Sequence, residues 1–329
     1  MIFFILSLCA SCAEEDRFII SEISVESNTD VAENIAAQNR WIYSEMKQNY
    51  FWSDRMMDSL ECDYSLTPDL FFKSLIVDED RFSYCYPNDQ YRPFTKGVDM
   101  NASVKLDSVY NVGGKRIGYF YYSGFESEAD VTDVILKLKD VDELIIDVRN
   151  NPGGLIETCI YLSSLVVPTA ARGNLFCSYR YNEHISRLNK LNTGDECTYS
   201  FFRKDALTAN RALSLSRLFV LTGPRSASCS ELLINSLRPY MQVVVIGSTT
   251  VGKGVGMRTL SSIHCQYVLL PITFRTFNAD GVPVPVTGIV PDIPFASDDV
   301  IGEIGNTKET LLSRAILEII NTNLTNENQ

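Results

Sequence analysis

A serine, a lysine and two glycine-rich turns carry most of the chemistry that this chain of 329 residues can offer. The segment Ser226-Ala227-Ser228-Cys229-Ser230-Glu231 lies between a strand-like run, Arg217 to Leu221, and a helical one, Ser230 to Leu237. A serine there is an ordinary helix cap. The same place suits a nucleophile, because the following backbone N–H can hold an oxyanion. Asp147 to Gly154, DVRNNPGG, ends an apolar run of the kind buried in a parallel sheet, and its glycines let backbone N–H groups approach a substrate oxygen with no Cβ in the way. Taken alone, NPGG reads equally as a tight turn. Gly247 to Gly254, GSTTVGKG, follows the strand-like QVVVI and has the spacing of a phosphate-binding loop. Gly254 stands where Ser or Thr should reach magnesium, and β-prone residues with Gly256 follow where a helix must begin, so a P-loop nucleotide binder is the weakest of the readings.

Only two histidines are present, His184 in a polar segment and His264 in a strand-like one, and neither lies near a nucleophile motif. With G-x-S-x-G also absent, a Ser-His-Asp triad lacks its parts. What remains is a Ser-Lys dyad. Lysine serves as a base only when largely neutral, which burial among apolar groups brings about, and Lys253 lies between Val251 and Val255 with a glycine on either side. No Cys-x-x-Cys pair or Cys/His cluster has metal-ligand spacing, so cysteines 62, 85, 159, 177, 197, 229 and 265 read as mostly buried thiols; no disulfide framework, metal or cofactor is called for.

Several elements must position these groups. Asp30 could cap a helix through Ala36, Trp41, Met46 and Tyr50, and Thr67-Pro68-Asp69 starts a second one into LFFKSLI. Beyond them come strands at Arg116–Tyr122, Glu143–Val148, Leu175–Tyr181, Arg217–Leu221 and Gln242–Ile246. Helices read at Glu128–Asp140, up to Leu165, at Ser230–Leu237 and at Lys308–Ile320. Such alternation predicts an α/β architecture with crossover connections. The domain reading is 1–11 signal peptide, 12–30 tether, 31–86 N-terminal helical domain, 87–115 linker, and 116–329 catalytic core. Lys and Arg number 29 against 41 Asp and Glu, a net charge of −12, which argues against nucleic acid as partner. Met1 to Ala10 is apolar and too short to span a membrane, so it reads as a secretory segment.

Strand-DVRNNPGG, SAS-x-S-E, T-x-G-K-G and GVPVPVTGIVPDI (Gly281 to Ile293), in that order, resemble the C-terminal processing peptidases, or tail-specific proteases. The resemblance covers about 116 to 320, and the N-terminal helices with FWSD and DRFSY are similar to those of Bacteroidetes lipoprotein members. It implies a crotonase/ClpP-like ββα superhelix, Ser228 as nucleophile and Lys253 as base, 25 residues apart. Gly153 or Gly154 with Cys229 would form the oxyanion hole, and protein or peptide substrates are expected. Met257 stands where many members have Gln four residues after the base, which leaves Thr250 as candidate for orienting the lysine. Residues 86–115 are too few for an independent fold, so the family's PDZ domain is read as absent or vestigial. Ala10-Ser11-Cys12 resembles the end of a lipobox, with Cys12 lipidated, and Glu14-Glu15-Asp16 resembles a surface-export signal. A lipid-anchored peptidase of the cell envelope is expected; the rival is a non-catalytic binding protein on the same fold.

Overall fold

The structure, a computed structural model, describes residues 28–91, 103–193, 197–202 and 212–326. Helices α1 (Asn28–Asn49) and α2 (Pro68–Leu75) open the chain, and strand β1 (Tyr84–Pro87) follows. Ile42 and Met46 on α1 and Tyr50 just past its end recur one turn apart and are fully buried against Phe71, Phe72 and Leu75, which is what a small helical unit needs for a core of its own. Helix α1 starts at Asn28, so Asp30 lies inside it. Thr67 precedes α2 without a side-chain capping bond, and Pro68 supplies the helical start.

The central sheet contains β2 (Val104–Val112), β3 (Lys115–Tyr122), β4 (Glu143–Asp147), β7 (Arg217–Thr222), β8 (Gln242–Gly247) and β12 (Ile293–Pro294), in the spatial order β12-β8-β7-β4-β3-β2. All its pairings are parallel except β2 with β3. Every residue of β4 is buried, as its unbroken apolar run requires of a strand covered on both faces. Alternate residues serve two cores. Tyr119, Ile145, Phe219 and Ile246 meet the closing helix α7 (Thr310–Asn326), whereas Phe120, Ile146, Val220 and Val245 face helices α3 (Glu128–Lys137), α4 (Ile156–Val166) and α6 (Cys229–Leu237).

A second, antiparallel sheet has the order β6-β5-β11-β9, from β5 (Leu175–Tyr181), β6 (Cys197–Ser200), β9 (Val255–Met257) and β11 (Ile272–Phe277), with α5 (Glu183–Thr193) between β5 and β6. Strand β10 (Tyr267–Leu270) pairs with β1 and so joins the helical unit to the core. Strand β2, which the sequence reading left in a linker over 87–115, runs antiparallel along β3; the central sheet therefore begins at Val104 rather than Arg116. Residues 92–102 lie outside the described residues. The result is the mixed α/β fold with a small N-terminal helical domain that was expected.

Candidate active site

The ends of β4, β7 and β8 deliver three loops to one place, and each loop is tied to the next. Asn151, fully buried, donates its amide to the carbonyl of Tyr122 (3.0 Å), while its own carbonyl accepts from the Ala227 N–H (3.1 Å) and the Ser230 hydroxyl (2.9 Å). The Ser226 hydroxyl donates to the Val148 carbonyl (2.7 Å). The Ser226 carbonyl accepts from the Val251 N–H of the third loop (3.0 Å). Two of the three serines are thus structural cross-links.

Ser228 differs from both. Its hydroxyl donates to no group among the described residues and serves only as an acceptor in a capping box with the Glu231 N–H, and its backbone sits at φ +54°, ψ −113° immediately before α6. A left-handed conformation costs a residue with a side chain about 1–2 kcal/mol, a cost retained only where surrounding bonds enforce it. Gly153 passes directly beneath. With φ +111°, a Cβ there would stand 2.7 Å from the Cβ of Ser228 and 3.0 Å from the Cys229 nitrogen, so only glycine fits. The Gly153 N–H donates to Oδ1 of Asn151 (2.8 Å) and is occupied, whereas the N–H groups of Gly154 and Cys229 carry no such bond among the described residues. The Cys229 thiol donates to the Gly154 carbonyl (3.1 Å) and fixes turn to helix.

Glu231, whose role the sequence reading missed, binds the nucleophile and lysine loops together. Its fully buried carboxylate accepts from the N–H groups of Ser228 (3.0 Å), Gly252 (2.6 Å) and Lys253 (2.7 Å) and from the Thr250 hydroxyl (2.5 Å). Ser-x-x-Glu is a capping-box signature, so half of this role was readable. The P-loop-like spacing of GSTTVGKG is also explained: the loop does present backbone N–H groups to an anion, and the anion is Glu231. Strand β9, not a helix, follows it. Thr250, the candidate for orienting the lysine, donates to Glu231 and accepts from the Ile289 N–H (2.7 Å), and so bears on the backbone of the lysine loop.

Nζ of Lys253 meets no carboxylate and makes no hydrogen bond among the described residues; it lies 5.6 Å from the centroid of the Phe82 ring. Burial pushes its ammonium below the ordinary lysine range, against the opposing pull of Cys229 and Glu231. Ser228 and Lys253 line the same cleft, of about 1130 Å³, without a direct hydrogen bond between Oγ and Nζ. Gly153, Gly154, Cys229 and Met257 line it too, together with apolar Leu155, Ile156, Leu232 and Phe274. His184 is exposed at the start of α5 and borders a separate cavity of about 470 Å³, and His264 is exposed in a turn rather than a strand. The seven cysteines among the described residues are free thiols, four of them buried. Cys12 lies outside the described residues.

A strained serine, a glycine turn and a half-buried lysine thus line one cleft. Residues 116–295 match the model of Peptidase family S41, and residues 37–84 match that of the Peptidase S41 N-terminal domain. The chain belongs to peptidase family S41, the C-terminal processing peptidases. It is 26% identical over 188 residues to a CtpA-like serine protease of Staphylococcus aureus, covering 56% of this chain and 34% of that protein. Identity to the Staphylococcus epidermidis counterpart is 24% over 200 residues, 59% of this chain and 36% of that protein. The matched part thus spans about a third of these relatives. Among solved structures, an S41 protease of Bacteroides fragilis aligns with a TM-score of 0.72 at 19% identity, covering 92% of this chain and 99% of that one. A peptidase of Parabacteroides merdae aligns at 0.55 and 17%, covering 87% and 96%. Both likenesses are of fold.

Proposed function

We propose that this chain is a lipid-anchored serine endopeptidase of the cell envelope that hydrolyses peptide bonds in extracytoplasmic proteins with a Ser228–Lys253 dyad. The observation that carries this reading is the contrast among three neighbouring serines: Ser226 and Ser230 donate their hydroxyls to backbone carbonyls, and Ser228 donates its hydroxyl to no group in the cleft that Lys253 lines. In this mechanism Oγ of Ser228 attacks the scissile carbonyl carbon while neutral Nζ of Lys253 takes its proton. The tetrahedral oxyanion is held by the N–H groups of Gly154 and Cys229; Gly153 supplies the space, since its own N–H is engaged. Lys253 passes the proton to the leaving amine, and the C–N bond breaks. Water, deprotonated by the same Nζ, then attacks the acyl-enzyme, and the proton returns to Oγ as the acid leaves.

A covalent fluorophosphonate probe tests the nucleophile. Wild type should be labelled on Ser228 and the Ser228→Ala variant should not; folded wild-type protein that takes no label would favour the non-catalytic binding protein. The anchor rests on Cys12 after the apolar run Met1 to Ala10. Cys12→Ala should move the protein from the membrane to the soluble fraction, and continued membrane association with lipid labelling would refute acylation at Cys12.

A further inference from the structure

The N-terminal unit touches the catalytic cleft through Asp80-Arg81-Phe82-Ser83-Tyr84, and this turn is fastened on two sides. Within it, Oδ1 of Asp80 accepts the N–H groups of Phe82 and Ser83, both at 2.9 Å. Toward β11, the Ser83 hydroxyl oxygen accepts the Ile272 N–H (2.8 Å). Toward the lysine loop, the Arg81 guanidinium donates to the carbonyls of Val251 (3.2 Å) and Val286 (2.8 Å). Backbone fixed this closely leaves the Phe82 ring little freedom. It is held with Cζ of Arg81 4.8 Å and Nζ of Lys253 5.6 Å from its centroid.

We propose that Phe82 is a positioning residue for Lys253: its ring holds the end of the lysine side chain in the cleft and keeps water from Nζ, so that the N-terminal unit completes the base. The proposal rests on the Ser228–Lys253 reading. Two effects of the ring oppose each other, since its π-face attracts the ammonium while its bulk removes the water that solvates it. The attraction fades near 6 Å, and Arg81 shares the same ring, so exclusion of water wins. The charged and titratable groups that act on Lys253 are Glu231 and Cys229 from α6, which favour its charged form. Tyr84 and Tyr86 of β1 close the same wall of the cleft.

The test is the titration of Lys253 itself, followed by NMR in protein with 13Cε-labelled lysine and assigned by loss of the signal in Lys253→Arg. It is run on wild type, Phe82→Leu and Phe82→Ala, beside the pH profile of kcat/KM. Lys253 should titrate below the exposed lysines in wild type, stay there in Phe82→Leu, which preserves bulk, and move up toward them in Phe82→Ala. In Phe82→Ala, kcat/KM at pH 7 should fall about tenfold and recover as pH rises. An unmoved Lys253 signal in folded Phe82→Ala overturns the proposal. Failure of the Ser228–Lys253 reading is distinguishable: the fluorophosphonate would not label Ser228 in wild type, while the Lys253 titration would still follow Phe82.

Discussion

Arg149 and Lys253 are both cations drawn inward beyond the ends of central strands, one after β4 and the other after β8. Arg149 is surrounded by acid. Its guanidinium pairs with Asp147 (Nε to Oδ1 2.9 Å) and with both carboxylate oxygens of Glu309 (2.7 and 3.1 Å), and Tyr119 donates to Asp147 as well (2.9 Å). That cluster joins the DVRNNPGG turn to the segment that starts α7. Near Lys253 a buried carboxylate is also present, yet Glu231 spends its acceptors on backbone N–H groups and on Thr250, and Nζ receives none of them. The same charge chemistry therefore does two jobs. A fully paired buried cation holds elements together, and an unpaired one in a cleft is free to lose its proton.

The largest break in this comparison should come from Arg149→Met, which strands two carboxylates that are fully buried. A loss of about 3–5 kcal/mol in urea unfolding is expected, and a loss below about 1 kcal/mol would mean that the cluster is not holding the turn. Next is Glu231→Gln, which keeps the shape but turns an N–H toward N–H donors. It should cost about 1–3 kcal/mol of stability and lower kcat roughly 10²-fold at similar KM; unaltered turnover would show that the clamp on both loops is not needed for catalysis. The smallest effect should be Lys253→Met. Burial lowers the proton affinity of Lys253 in the folded protein, so the unfolded chain binds that proton more tightly. Stability should therefore climb with pH between the native value and the ordinary one of about 10.4. Lys253→Met removes this slope and should melt slightly higher than wild type at neutral pH, with the difference closing as pH rises through that window. A lower melting temperature would assign Lys253 a structural role like that of Arg149.

What the sequence made legible follows from how local each signal is. β4, β5, β7 and β8 were readable as compact apolar runs, and α3, α4 and α6 as periodic ones, because those patterns depend on neighbours in the chain. Strands β1, β2, β6 and β9 to β12 were not assigned: their membership depends on partners far away, as with Val104 opposite Tyr122 or Ile272 opposite Met257. Ser228 and Lys253 could be singled out by motif and by the lack of a suitable histidine. The second half of Glu231's role could not, since nothing local says that a carboxylate at 231 will meet the N–H groups of 252 and 253. The same non-local contact explains why GSTTVGKG has the spacing of a phosphate loop and yet wraps a carboxylate. Phe82, more than 170 residues from Lys253, was out of reach for the same reason.

The account stands or falls on Lys253 acting as base for Ser228, and the most direct measurement is kcat/KM against pH for wild type, Ser228→Ala, Lys253→Ala and the double variant on one peptide substrate. Wild-type activity should rise with pH as Lys253 loses its proton. Each single variant should lose at least about 10²- to 10⁴-fold and the double variant little more, because the two groups act as a unit. Near-normal turnover in Lys253→Ala, or a wild-type profile flat across the range in which Lys253 titrates, would contradict it.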